Sequence, residues 1–181
     1  MNFPSELAGT DVQGLFALFP PAEYMTRGEL VPPGRVPQPY HRLLVHEHHM
    51  TVTVEAHHGD AVDVKVLEYR VAGDSYARKI LLTLQRTGRV VMFGLMRVNF
   101  HYCSEAVRQE ILAGQTPLGR VLINANVMRR IEPTAFLRVK PGPSMIDWFG
   151  LEQPRPTYGR FALIHCDEQP AVELLEIVTP E

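Results

Sequence analysis

The chain has 181 residues, 45% of them hydrophobic, and its 18 Lys and Arg against 20 Asp and Glu leave a net charge of −2. That is the balance of one ordinary soluble globular domain, and without a polybasic block it lacks the electrostatic footprint of a nucleic-acid or anionic-membrane binder. No apolar run approaches the roughly 20 residues of a membrane span, and the start MNFPSELAGTD has neither the basic nor the apolar region of a signal peptide, so the expected location is the cytoplasm.

In chain order, Leu7, Val12, Leu15, Phe16 and Phe19 recur at helical spacing between residues 5 and 19, and Pro20-Pro21 stops that amphipathic N-terminal helix. Residues 20–39 carry six prolines and read as an extended crossing segment, too short and too apolar for a tether. Residues 43–58 read two ways. Thr51, Val52, Thr53 and Val54 favour a strand, while Thr51 followed by Glu55 ahead of Gly59 would open and close one short helix. Residues 62–71 read as a strand with Val62, Val64 and Val66 on one face, and residues 76–85 and 89–100 as a hairpin around Thr87-Gly88. Ser104 caps a helix that ends at Gly114, and Thr116-Pro117 starts another that runs to about Ile123.

Residues 127–131 read as a strand. Residues 133–157 hold Pro133, Pro141, Pro143, Pro154 and Pro156 around Trp148 and Phe149, and read as a long loop with exposed aromatics that would serve as a lid. Residues 158–166 and 171–179 close the chain as a second hairpin. The sum is one α+β domain over residues 1–181, with a single antiparallel sheet, helices packed on one side, and residues 1–42 as a helix plus proline-rich extension.

Alternate residues of a strand face opposite sides. Arg78 therefore shares a face with Tyr76, Ile80, Leu82 and Leu84, where a guanidinium is costly unless an anion meets it. A ligand carboxylate and a structural Glu are equally good partners on pattern alone. On the closing strand Glu173 and Glu176 fall on opposite faces, each flanked by aliphatic neighbours, and parity does not choose between them. A carboxyl in such surroundings would be pushed toward the protonated form that a general acid needs.

Six of the eight histidines lie between His41 and His58. His46 and His48 would share a strand face, but the spacing of His46, His48, His49, His57 and His58 matches no metal-site signature and no carboxylate or Cys stands at a matching interval. Solvent-facing histidines are expected there and no metal site is predicted. Cys103 and Cys166 read as buried thiols rather than a bridge or zinc ligands. No glycine-rich phosphate loop, G-x-S-x-G elbow or H-E-x-x-H motif is present.

Four collinear blocks nevertheless resemble the chorismate lyase (chorismate pyruvate-lyase) family. They are Leu43-Leu44-Val45 leading through His49 to Met50-Thr51; Tyr76-Ala77-Arg78-Lys79-Ile80-Leu81-Leu82 with Arg97 on the following strand; Thr116-Pro117-Leu118-Gly119-Arg120, close to the family's T-P-L-G-R; and Tyr158-Gly159-Arg160 followed by Leu175-Glu176-Ile177. They span about three quarters of the chain.

The resemblance implies removal of pyruvate from chorismate to leave 4-hydroxybenzoate or a related hydroxybenzoate, which feeds quinone biosynthesis, with no metal or organic cofactor. It selects Glu176 over Glu173 and implies that Met50-Thr51 begins a short helix. Arg78 matches the residue that holds the ring carboxylate and Glu176 the acid at the hydroxyl end, the two catalytic candidates. Met50, Thr51, Leu118 and Gly119 match ligand-contacting helix starts, and Arg97 and Arg160 are candidates for the enolpyruvyl carboxylate or for structural ion pairs. The expected partners are substrate and product alone, with the chain a monomer or small homo-oligomer. Lys79 and Phe161 depart from the family's Glu and Arg at those positions.

The alternative is a non-catalytic module of the same fold that binds an aromatic acid, as in the ligand-sensing domains of one class of bacterial regulators. Residues 1–42 are too proline-rich to supply a DNA-binding helix-turn-helix.

Overall fold

In the computed structural model, residues 3–181 are described. Its elements in chain order are β1 (Glu6–Leu7), β2 (Thr10–Asp11), α1 (Val12–Leu18), β3 (Met25–Val31), α2 (Tyr40–Leu44), α3 (Met50–His58), β4 (Val62–Ala72), β5 (Ser75–Leu84), β6 (Val90–Asn99), α4 (Glu105–Ala113), α5 (Leu118–Asn124), β7 (Arg129–Pro141), α6 (Pro143–Trp148), β8 (Thr157–Cys166) and β9 (Gln169–Val178). Seven strands form an antiparallel sheet in the order β3-β7-β8-β9-β6-β5-β4, and β1 and β2 form a small separate ribbon.

Local chemistry sets most boundaries. The turns between β4 and β5 and between β5 and β6 use Gly73 and Gly88 at φ +59° and +70°, where a side chain would be strained. Ser104 Oγ accepts from Val107 N at the start of α4, and Gly114 ends that helix in the left-handed region. Residues 43–58 resolve into two helices. Gly59, at φ +61°, closes α3, and the β-branched run that suggested a strand winds helically with Val54 and Met50 turned into the core.

Three expectations need correction. The N-terminal helix is shorter than the spacing implied, because Ala8 and Gly9 turn the β1-β2 ribbon and Asp11, accepting from Gly14 N at 2.9 Å, caps α1 only there. Residues 20–39 do more than cross the molecule, since Met25–Val31 is the edge strand β3, paired with β7. Most decisively, residues 133–157 are not a lid. Strand β7 runs through them to Pro141, and α6 follows, leaving only residues 149–156 irregular. Pro133 sits beside a register shift against β8 and Pro141 ends the strand, the places where a missing N–H is tolerated. The aromatics are not exposed: Trp148 stacks on Phe93 with ring centres 5.5 Å apart, and Phe149 is buried.

Helices α2 to α5 gather on one face of the sheet. Leu43, Leu44, Met50 and Val54 pack there with Ile80, Leu82 and Met92, while Val107, Ile111, Val121 and Leu122 pack with Tyr76, Met96 and Leu174. The other face is also covered. Val12, Leu15 and Phe16 of α1, with Phe3, Phe19, Tyr24 and Met145, lie over Phe93, Leu95, Phe161 and Leu175. Each such buried side chain contributes on the order of 2 kcal/mol. Covering both faces gives most residues of β5, β6, β8 and β9 an interior environment on one side or the other, so parity decides which interior a charged residue meets.

Candidate functional site

A cavity opens between the sheet and the starts of α3 and α5; its internal free space is about 50 Å³, and about 530 Å³ when the mouth and adjoining solvent are counted. Its floor is Arg78, Ile80 and Leu82 of β5, Met92, Gly94 and Met96 of β6, and Leu174 and Glu176 of β9. Gly94 pairs with Ile80 on one side and Glu176 on the other, and a Cβ there would sit 3.2 Å from the Ile80 side chain. The glycine thus keeps the floor between Arg78 and Glu176 low.

Arg78 is 1% exposed. Its Nη1 makes one long bond to Ile111 O at 3.5 Å, its Nε is buried without a partner, and among the described residues no carboxylate pairs with it. Burial pulls its pKa below the usual value, but a guanidinium starts high enough to remain charged. The pocket therefore contains a desolvated cation with unspent donors.

Glu176 is placed differently. Its Oε2 accepts from Arg160 Nε at 2.8 Å. Arg160, fully buried, also donates from Nη1 to Leu44 O (3.2 Å) and His46 O (2.8 Å) and from Nη2 to His48 O (3.0 Å). It thereby ties the loop between α2 and α3 to the sheet and sets where α3 begins. Where an apolar flank was expected around Glu176, the Arg160 guanidinium meets one of its oxygens, and that pair leaves the other oxygen on the cavity side unengaged.

Met50 and Thr51 begin α3, and Leu118 and Gly119 begin α5; all four line the cavity. Neither helix has a side-chain cap, so the first N–H groups are left for other partners. The two starts touch through Gly119, where a Cβ would lie 2.9 Å from Thr51 Oγ1 and 3.0 Å from His49 Cβ. Thr116 does not cap α5, since its hydroxyl donates to Glu110, and Pro117 stands one position earlier than expected.

Arg97 is not part of this site. It points to the opposite face, where Nε donates to Glu173 Oε2 at 2.5 Å and Nη2 to Asp11 Oδ2 at 3.0 Å. Parity explains it: Gly94 and Met96 take the pocket side of β6, and Arg97 is odd to both. The two departures from the family pattern also fall on that far face. Lys79 reaches Glu23 and Glu68, each at 2.9 Å, and the Phe161 ring packs against Phe3 and Phe16.

His49 is a pocket residue that sequence reasoning left without a role. It is buried at the start of α3, and its Nε2 accepts from Arg129 Nε at 2.7 Å, which fixes the ring proton on Nδ1. Burial, then the nearby Arg129 and Arg160 charges, hold its pKa down at about 4. Its position just ahead of a helix start was the available signal. His46 is likewise lowered to about 4, first by burial and then by Arg160. Burial pushes the Cys166 thiol up to about 12 and raises that of Cys103, so neither is set up as a nucleophile.

No family model matches the sequence, and no curated protein is significantly similar to it. Solved structures are similar. PhnF from Mycobacterium smegmatis matches with a TM-score of 0.56 at 13% identity, over 92% of this chain and 78% of that one. The effector domain of PhnF, from the same organism, matches with a TM-score of 0.52 at 10% identity, over 73% and 88% of the two chains. At such identities the likeness concerns the fold alone, which is the chorismate lyase-like α+β fold. Among the described residues no helix is long and apolar enough to cross a membrane.

Proposed function

We propose that the chain binds a small cyclic or aromatic carboxylic acid in the cavity under α3 and α5. The observation that carries this reading is Arg78, a buried guanidinium with an unpartnered Nε and, among the described residues, no acid paired with it. Keeping such a charge out of water is unfavourable unless an anion arrives, and a carboxylate meets the planar fork with two parallel hydrogen bonds. Aliphatic and Met side chains between Arg78 and Glu176 suit a flat ring, and the free oxygen of Glu176 accepts from a hydroxyl at the ring's far end. The uncapped helix starts add partial positive charge. The name effector domain given to one similar structure supports a pocket that binds without turnover.

Elimination of pyruvate from chorismate to 4-hydroxybenzoate is the second reading. It is favoured by the correspondence of Arg78 and Glu176 with the lyase motifs and by their shared cavity. In that reaction the enol ether C–O bond breaks, pyruvate leaves, and the ring loses a proton as it becomes aromatic. Because Glu176 is engaged by Arg160 and the similar structure is an effector domain, binding is the primary reading.

Calorimetric titration with 4-hydroxybenzoate, benzoate and 4-hydroxybenzamide tests it. Both acids should bind the wild type, the amide should not, and Arg78→Met should bind neither acid. Acid binding that survives Arg78→Met defeats the assignment. Pyruvate released from chorismate by the wild type and lost in Glu176→Gln would establish the lyase instead.

A further inference from the structure

The histidine-rich stretch supplies a second feature, at the opposite end of α3 from the cavity. The geometry points to a divalent transition-metal site of the zinc class formed by His57, His58 and Glu181, tying the end of α3 to the chain beyond β9.

No sequence spacing would reveal this site, because the carboxylate comes from more than a hundred residues away. One ligand atom from each of the three residues lies within 4.8 Å of the other two, and His57 Nε2 is 3.5 Å from Glu181 Oε1. Tetrahedral ligands at zinc distances stand about 3.3 Å apart, so small side-chain rotations close the set. Two imidazoles and one carboxylate suit zinc, nickel or cobalt and leave a position for water.

The third ligand is held in place independently of the histidines. Glu181 N donates to Tyr40 Oη at 2.8 Å, and Arg155 Nη2 donates to Glu181 O at 2.9 Å. Two residues earlier, Thr179 is bonded through N and Oγ1 to Val91 O and Val90 O. The histidines occupy the last turn of α3, where exposed carbonyls favour a cation. The rings are partly sheltered rather than extended into solvent, with the His57 side chain 16% exposed.

One group competes. Arg89 Nη2 lies 3.1 Å from His58 Nδ1. A neutral imidazole has one N–H and one lone pair, so neither ring nitrogen of His58 can bind metal until Arg89 lets go. Arg89 is exposed and free to swing away. The metal would then join α3, which carries Met50 and Thr51 at its other end, to the segment that follows Glu176, stiffening the cavity without touching its ligand.

Titration of Zn²⁺ into the tag-free, chelator-treated full chain, followed by calorimetry and repeated with Co²⁺ by visible absorption, decides the matter. One equivalent should bind, at least tenfold more weakly in His57→Gln and in Glu181→Gln, and no more weakly in Arg89→Ala. Saturating Zn²⁺ at about a hundred times Kd should raise Tm by roughly 5 °C. No binding, binding indifferent to both substitutions, or weaker binding in Arg89→Ala would overturn the site.

Discussion

The two faces of the sheet differ in how completely they match their basic side chains with acids. On the face under α1, Arg97 meets Asp11 and Glu173, and Lys79 meets Glu23 and Glu68. On the face under α3 and α5, Arg160 is fully engaged by Glu176 and three backbone carbonyls, while Arg78 has one long hydrogen bond, the Tyr76 phenol beside it and no carboxylate among the described residues. These residues are similar in sequence terms, cations in apolar strands. What separates them is whether the fold brings an acid to them. Matched charges hold the structure together, and among the described residues Arg78 is the deeply buried charge that no acid matches, the one the proposed ligand would meet.

Substitutions can break this contrast, the largest effect first. Arg160→Leu should destabilise the protein by about 3–5 kcal/mol, because it leaves Glu176 buried and unpaired and frees the loop between α2 and α3; chemical denaturation measures it. Arg78→Met should do the reverse. Affinity for a ring carboxylate should fall at least a hundredfold, about 2.7 kcal/mol, while Tm holds or rises because an uncompensated charge is gone. A fall in Tm with unchanged affinity would erase the distinction between the faces. Arg97→Met should cost only about 1–2 kcal/mol, since the cluster is partly open to solvent, and should leave ligand affinity untouched.

The smallest effect is a dependence on pH. His46 and His49 are held near 4 in the folded chain, below the ordinary histidine value of about 6.5. Between those values the unfolded chain binds protons that the folded chain does not. The stabilisation is complete above about 6.5 and lost as the pH falls toward 4. With solvent screening discounted, each histidine accounts for about 1 kcal/mol. Denaturation midpoints from pH 7 to 4 should decline accordingly, and less so in His49→Gln; a flat profile would refute the buried, neutral assignment.

Much of this was legible in the residues. The Thr87-Gly88 hairpin, the Ser104 and Gly114 caps, and the placing of Arg78 with Ile80 and Leu82 follow from turn chemistry, capping and strand parity, all of which act within a few residues. Parity on β6 would also have removed Arg97 had it been carried across from β5, since Met96, not Arg97, pairs with Arg78. Strand β7 was harder to read. Its prolines look like loop signals, and only the register shift at Pro133 and the strand end at Pro141 reconcile them with a ladder.

By itself, then, the amino-acid order determined strands β4, β5, β6, β8 and β9, the caps of α4 and the end of α3, and which side chains of those strands share a face, because those depend on neighbours one to four positions away. Only the folded chain decided which acid each arginine meets, that Trp148 stacks on Phe93 and Phe149 is buried, and that His57 and His58 lie beside Glu181. Those are encounters between distant segments, and an ion pair or an empty cavity has no local pattern from which to be read.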